Sequence, residues 1–96
     1  MASSVRIYAG TQEGLFVWRS KNGGWENVAV SFETGTIDSV DGLRSRPNVV
    51  YLGVTQDVLY RTEDAGKSWR RVFEGNVRAV TVDPTDERVV YVGDTA

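Results

Sequence analysis

Three short segments of the chain repeat one pattern of an apolar residue, Tyr, an apolar residue and Gly. They are Ile7-Tyr8-Ala9-Gly10, Val50-Tyr51-Leu52-Gly53 and Val90-Tyr91-Val92-Gly93, with the glycines 43 and then 40 residues apart. Units of this kind recurring near 40 residues have the spacing of four-stranded propeller blades. After the first glycine comes Leu15-Phe16-Val17-Trp18-Arg19-Ser20, and after the second Val58-Leu59-Tyr60-Arg61-Thr62. Both lead into a turn and then into a strand that opens on Trp. Each Trp strand, Trp25 to Val30 and Trp69 to Phe73, precedes a stretch with alternating apolar residues, Ile37 with Val40 and Val77 to Val82, expected to form an innermost strand.

With the strands of a blade lettered a to d from the centre outward, the expected fold is all-β, with about two blades of four antiparallel strands. Residues 1–96 then form a single unit: strands b, c and d over about 5–30, a to d over about 36–73, and a and b over about 77–93. On that register the chain starts and stops inside blades. Left alone, it is expected to expose strand edges and the apolar faces of Trp25, Trp69, Leu59 and Val80, a hazard for aggregation.

Composition narrows the chemistry. Ten glycines, two prolines and many Val, Tyr, Thr and Trp residues suit short strands joined by tight turns. Eleven basic residues against 13 acidic ones leave a formal charge of −2 with no basic block, which disfavours nucleic-acid binding. Cysteine and histidine are both absent, which removes disulfides, thiolate nucleophiles, the usual zinc sites and any Ser-His-Asp arrangement. No segment nears the roughly 20 apolar residues of a membrane span. The start, Met1-Ala2-Ser3-Ser4, lacks the apolar core of a signal peptide, so the expectation is a soluble chain, cytoplasmic in a cell.

The most specific turn is Thr62-Glu63-Asp64-Ala65-Gly66-Lys67-Ser68-Trp69. Its Asp can accept from backbone N–H groups of its own turn, its Gly can take the positive φ that closes it, and its Trp can lay its ring beneath. Ser20-Lys21-Asn22-Gly23-Gly24-Trp25 keeps a hydroxyl, an Asx side chain, glycine and Trp in a shorter form. Together with Ile7 to Thr11, Gly14-Leu15-Phe16 and Ala79 to Pro84, these turns resemble those of the BNR/Asp-box repeat proteins over nearly the whole chain. That group includes sialidases and other propeller glycosidases, sortilin-type receptors and photosystem II assembly factors.

The resemblance implies a propeller whose structural boxes are Thr62, Asp64, Gly66 and Trp69 and, in degenerate form, Ser20, Asn22, Gly24 and Trp25. It implies no activity, since such boxes sit on turns of proteins with unrelated functions. The Arg-Ile-Pro segment of the sialidase type is missing.

A sialidase-like enzyme would need an arginine cluster, a Tyr nucleophile with a Glu partner and an acid. Here Tyr8, Tyr51 and Tyr91 recur at equivalent strand positions, which reads as strand packing, and Arg61, Arg70 and Arg71 flank the box, where solvated or cross-strand pairing is the default. No catalytic residue, cofactor or metal ligand is therefore assigned; Asp64 alone offers calcium too few oxygens. The loops on the opposite face from the box carry the candidate ligand contacts Gln12, Glu13, Gln56 and Asp57.

The expected role is structural: self-association of the unfinished blades into a closed ring, a trimer preferred and a tetramer the alternative. The ligand is unassigned. In that ring the strand at 77–82 pairs with the strand near Arg6 to Ala9 of the next chain, and residues 89–96 are expected to be displaced or loosely held. A truncated carbohydrate-binding or sialidase-like module is the runner-up, and a protein-binding scaffold the third reading.

Overall fold

The computed structural model describes residues 5–33, 35–54, 58–75 and 77–94. Among them there is no helix. Nine strands form three antiparallel sheets: β1 (Arg6–Thr11), β2 (Gly14–Lys21) and β3 (Gly24–Ser31) in the first, β4 (Ile37–Gly42), β5 (Val50–Val54), β6 (Val58–Thr62) and β7 (Arg70–Glu74) in the second, and β8 (Val77–Val82) with β9 (Val90–Asp94) in the third. Every sheet is a meander in chain order, as short connections between antiparallel neighbours dictate.

The sheets pack face on face through the residues that the strand alternation turns inward. Leu15 and Val17 of β2, Ile37 of β4 and Leu52 and Val54 of β5 form the cluster between the first and second sheets, with Tyr8, Phe32, Tyr60 and Trp69 against it. Leu43, Val49 and Val82, and beside them Leu59, Val77 and Val80, join the second sheet to the third. Leu15, Val17, Leu52, Val49 and Val77 are fully buried, each stabilising the fold by about 1.5 to 3 kcal/mol relative to exposure.

Leu59 and Val80 therefore do not form an exposed apolar face, because they are covered by each other's sheets at 3% and 4% exposure. Trp25, at 53%, is exposed as the sequence suggested, and Trp69 is half-buried.

The repeat is reproduced in the register. In the second sheet Ser39, Val40, Asp41 and Gly42 oppose Gly53, Leu52, Tyr51 and Val50; in the third, Ala79, Val80, Thr81 and Val82 oppose Gly93, Val92, Tyr91 and Val90. The first strands of these two sheets, β4 and β8, carry a bulge at the same place, between Ile37 and Ser39 and between Val77 and Ala79. A bulge lets Ile37 share a face with Val40, and Val77 with Val80, despite the odd spacing. The bulged residues themselves, Asp38 and Arg78, meet across the sheets at 4.0 Å.

The close approach of successive sheets depends on two glycines. A Cβ on Gly10 would lie 2.6 Å from Ile37 Cγ2, and one on Gly53 would lie 2.9 Å from Val77 Cγ1. The third glycine of the repeat, Gly93, has no such neighbour, for a Cβ there would meet only Ala79 of its own sheet at 3.5 Å.

Within the single chain β9 is well held. It is paired with β8 over Val90 to Asp94, its Val90 and Val92 pack into the apolar clusters, and its Tyr91 donates a 2.7 Å hydrogen bond to Asp83 Oδ2, so this strand is not loosely held. Residues 95–96 lie outside the described residues.

Candidate functional site

The turn from Thr62 to Trp69 is built around two side chains. Thr62 is buried at 1% exposure, and its Oγ1 accepts from the backbone N–H of Asp64 (3.2 Å) and of Gly66 (3.0 Å) while donating to Asp64 Oδ1 (2.7 Å). Asp64 accepts from the N–H of Ser68 at 2.9 Å and from its hydroxyl at 2.5 Å. The hydroxyls of Ser68 and Thr62 and the Ser68 N–H stabilise the carboxylate, and its pKa is held down at about 2.

Ala65 and Gly66 both sit at positive φ, 62° and 89°, which turns their amides inward; Ala65 N–H reaches the Asn48 carbonyl at 3.0 Å. The turn is thereby fastened to the loop between β4 and β5.

Trp69 joins this turn to the first sheet. Its Nε1 donates to Ser31 Oγ at 3.2 Å, Ser31 Oγ donates to the Gly66 carbonyl at 3.4 Å, and Phe32 stacks edge-on against Trp69 at 5.6 Å and tilted against Tyr60 at 4.5 Å. Asp64 thus serves its own turn, and the Trp locks one sheet to the next.

The hairpin at Ser20 to Trp25 is organised differently from a shortened box. In β1–β2 Ile7 opposes Trp18, whereas in β5–β6 Val50 opposes Thr62, so the residue at the position of Thr62 is Trp18 and β2 runs on past it. Asn22 (φ 49°) and Gly23 (φ 81°) then close a two-residue turn between Lys21 and Gly24, the left-handed pair that an Asn-Gly hairpin adopts. Ser20 serves β1, accepting from Val5 N–H on its hydroxyl and donating its own N–H to the Val5 carbonyl. Gly24 and Trp25 begin β3, with Trp25 exposed. Ser20 matches Thr62 in residue type, but pairing register places it two residues further along the strand.

Of the candidate ligand contacts, Gln12 and Glu13 occupy the exposed β1–β2 turn, which Thr11 closes by accepting from Glu13 N–H (3.0 Å) and donating to the Gly14 carbonyl (2.8 Å). Gln56 and Asp57 lie outside the described residues. Arg61 takes the cross-strand course: its guanidinium lies 5.7 Å from the ring centroid of Tyr51, its partner on β5, and pairs with Glu63, which Arg70 also approaches at 3.6 Å. Among the described residues no three metal-ligating side chains gather, and no helix is long and apolar enough to cross a membrane.

Sequence reasoning missed a second set of polar contacts, between β4 and β8. Ser39 Oγ accepts from Val80 N–H at 3.0 Å and donates to the Val80 carbonyl at 3.4 Å, and Asp41 Oδ2 accepts from Val82 N–H at 2.7 Å. Side chains of β4 thus satisfy backbone groups on the edge of β8 that no strand pairs among the described residues. An alternation of short polar residues with Val, Ser39-Val40-Asp41, was the available signal.

The arrangement defines a class: stacked antiparallel sheets, each pinned to the next by side chains of a turn and of the first strand of the second sheet. No known protein family, curated protein or solved structure matches the chain.

Proposed function

We propose that this chain is a β-propeller segment of about two blades whose role is structural, completing a ring by association with further copies of itself. The observation that carries the reading is the repeated packing step: the relation of the first sheet to the second, Gly10 against Ile37, recurs between the second and third, Gly53 against Val77. A step that repeats with the same register generates a ring or a helix when continued. Both ends of the stack remain open, with Ile7, Trp18 and Trp25 exposed on the first sheet and Val89 and Tyr91 exposed on the third.

Two blades per chain permit four, six or eight blades, and the bulk of the Trp and Tyr residues between neighbours favours about six, hence a trimer, over a tetramer of eight. Light scattering tests the proposal. A mass several times the 10.6 kDa of one chain is the expected result, and a stable monomer at micromolar concentration overturns it.

A further inference from the structure

The second and third sheets offer a template for what should cover the third. On the face of the second sheet that meets β8, Ser39 and Asp41 bond to the β8 backbone, Gly53 receives Val77, and Tyr51 joins the apolar clusters. Their counterparts on the third sheet, by register, are Ala79, Thr81, Gly93 and Tyr91, and all four are exposed. Gly93 is left without the contact that demands a glycine at Gly10 and Gly53.

A matching groove of about 370 Å³ lies between β1 and β4, lined by Tyr8, Val40, Gly42, Leu43, Pro47 and Val50. One step further along the stack the same place is filled. There Tyr51, Val82 and Val90, the counterparts of Tyr8, Gly42 and Val50, close around Leu43 and Val49. The residue that corresponds to Val49 in the β8–β9 hairpin is Val89, which is 39% exposed.

We propose that the β1–β4 groove is the seat of the β8–β9 hairpin of a second copy, and that β9 of that copy takes the place of β1. The inference rests on the self-association reading and adds which strand yields. Volume decides between the two candidates. If β1 instead displaced β9, Ile7 and Ala9 would replace Val90 and Val92 beside Leu59, Val77 and Val80, and Ala9 lacks the two methyl groups by which Val92 fills that cluster. Unfilled volume of this kind is costly in a packed interior.

When β9 replaces β1, no such void forms: Tyr91 of the second copy enters for Tyr8, and its Gly93 enters for Gly10 and accepts Ile37 of the receiving copy without a clashing Cβ. The hairpin arrives ready-made. Its turn is held by Asp83, which accepts from the N–H groups of Thr85 (2.8 Å) and Asp86 (3.0 Å) and from Tyr91.

The chain contains no cysteine, so cross-linking reads the exchange directly. Arg6 opposes Arg19 in β1–β2, and in the exchanged assembly Val89 of one copy stands in for Arg6 and opposes Arg19 of the other. Full-length Val89→Cys/Arg19→Cys is oxidised beside the control Arg6→Cys/Arg19→Cys, with light scattering on both; all three positions are at the surface or its edge. The expected result is an assembly in which the first pair links different chains into a ladder that reductant collapses.

If an assembly forms and only the control pair links, within one chain, β1 has kept its place and the exchange is wrong while self-association stands. A disulfide that joins the two introduced thiols of the Val89→Cys/Arg19→Cys variant within a single chain also overturns the exchange. Monomeric mass throughout brings down both. Gly93→Val adds an independent arm: it should abolish assembly while leaving monomer secondary structure unchanged, and an intact assembly in that variant overturns the proposal.

Discussion

Ser39 and Val80 lie on different sheets, yet the Ser39 hydroxyl occupies both hydrogen-bonding groups of the Val80 backbone, accepting at 3.0 Å and donating at 3.4 Å. An edge strand of a stacked sheet has one side with no strand beside it, and its N–H and C=O groups cost free energy when left unpaired away from water. Ser39 and Asp41 answer for Val80 and Val82 in turn. Ser39→Ala should therefore destabilise the chain by about 1 to 2 kcal/mol, more than a surface Ser→Ala change. Urea unfolding followed by circular dichroism checks this, and an unchanged midpoint removes the assigned role.

Trp69 ties the Thr62–Trp69 turn to the first sheet through its Nε1 bond to Ser31 and its contact with Phe32. Trp69→Ala should cost about 3 kcal/mol, and Trp69→Phe about 1 kcal/mol, the part owed to the lost hydrogen bond. Trp25→Ala, at a position 53% exposed, should shift the unfolding midpoint little. Equal losses at Trp25 and Trp69 would contradict the packing described here.

The strands were legible because their cause is local. Alternating apolar residues, the apolar-Tyr-apolar-Gly repeat and glycine-rich turns placed all nine, and the types at Thr62, Asp64 and Gly66 announced a turn closed by its own side chains. Less legible was anything set by register. Ser20 looks like Thr62 in type, but pairing sets Trp18 opposite Ile7 where Thr62 stands opposite Val50, and the Asn22-Gly23 turn follows from that longer strand. The bond from Ser39 to Val80 joins residues 41 apart, and no local pattern encodes such a contact. The hold on β9 likewise comes in part from Tyr91 reaching Asp83, a contact between residues eight apart that the short polar tail after Gly93 does not announce.

Acid should release the Thr62–Trp69 turn over a definite range. Asp64 has its pKa lowered from 3.8 to about 2, chiefly by the Ser68 hydroxyl and then by that of Thr62. A carboxyl depressed on folding contributes stability that is fully present above its unfolded value and is lost as pH falls through the folded one. The contribution should hold at pH 5 and fade between about pH 4 and pH 2. Asp64→Asn should be less stable than the wild type at pH 6 and show a shallower loss across that range. Parallel stability profiles for the two proteins would sink the assignment.

The Asp83–Tyr91 bond should be sensitive at both extremes of pH. Tyr91 donates to Asp83, which lowers the carboxyl pKa, while the neighbouring carboxylate raises the phenol above its usual 10.0. The carboxyl's share is present above its unfolded value near 3.8 and is lost as pH falls below it; the phenol's share is present below about 10 and is lost as pH rises through the raised folded value. Tyr91→Phe should remove the alkaline loss and loosen β9, seen as faster amide exchange at Val90 and Val92. Unchanged exchange at both residues would show that the side-chain bond does not hold the strand.

The glycines of the repeat should differ sharply on substitution, although the sequence presents them as equivalents. A Cβ at Gly10 would fall 2.6 Å from Ile37 Cγ2 and 3.0 Å from Ile37 Cβ, and Ile37 is too confined in its apolar cluster to withdraw. Gly53 meets Val77 in the same way, at 2.9 Å. Gly10→Ala and Gly53→Ala should each destabilise the single chain by about 1 to 3 kcal/mol, the usual cost of overpacking. Gly93→Ala has ordinary space around it and lowers the chain's unfolded-state entropy, so in dilute solution it should be neutral or stabilising by a few tenths of a kcal/mol. Thermal unfolding of the three variants at low protein concentration separates them. If Gly93→Ala is as damaging as Gly10→Ala under those conditions, the open face of the third sheet is already occupied within the single chain.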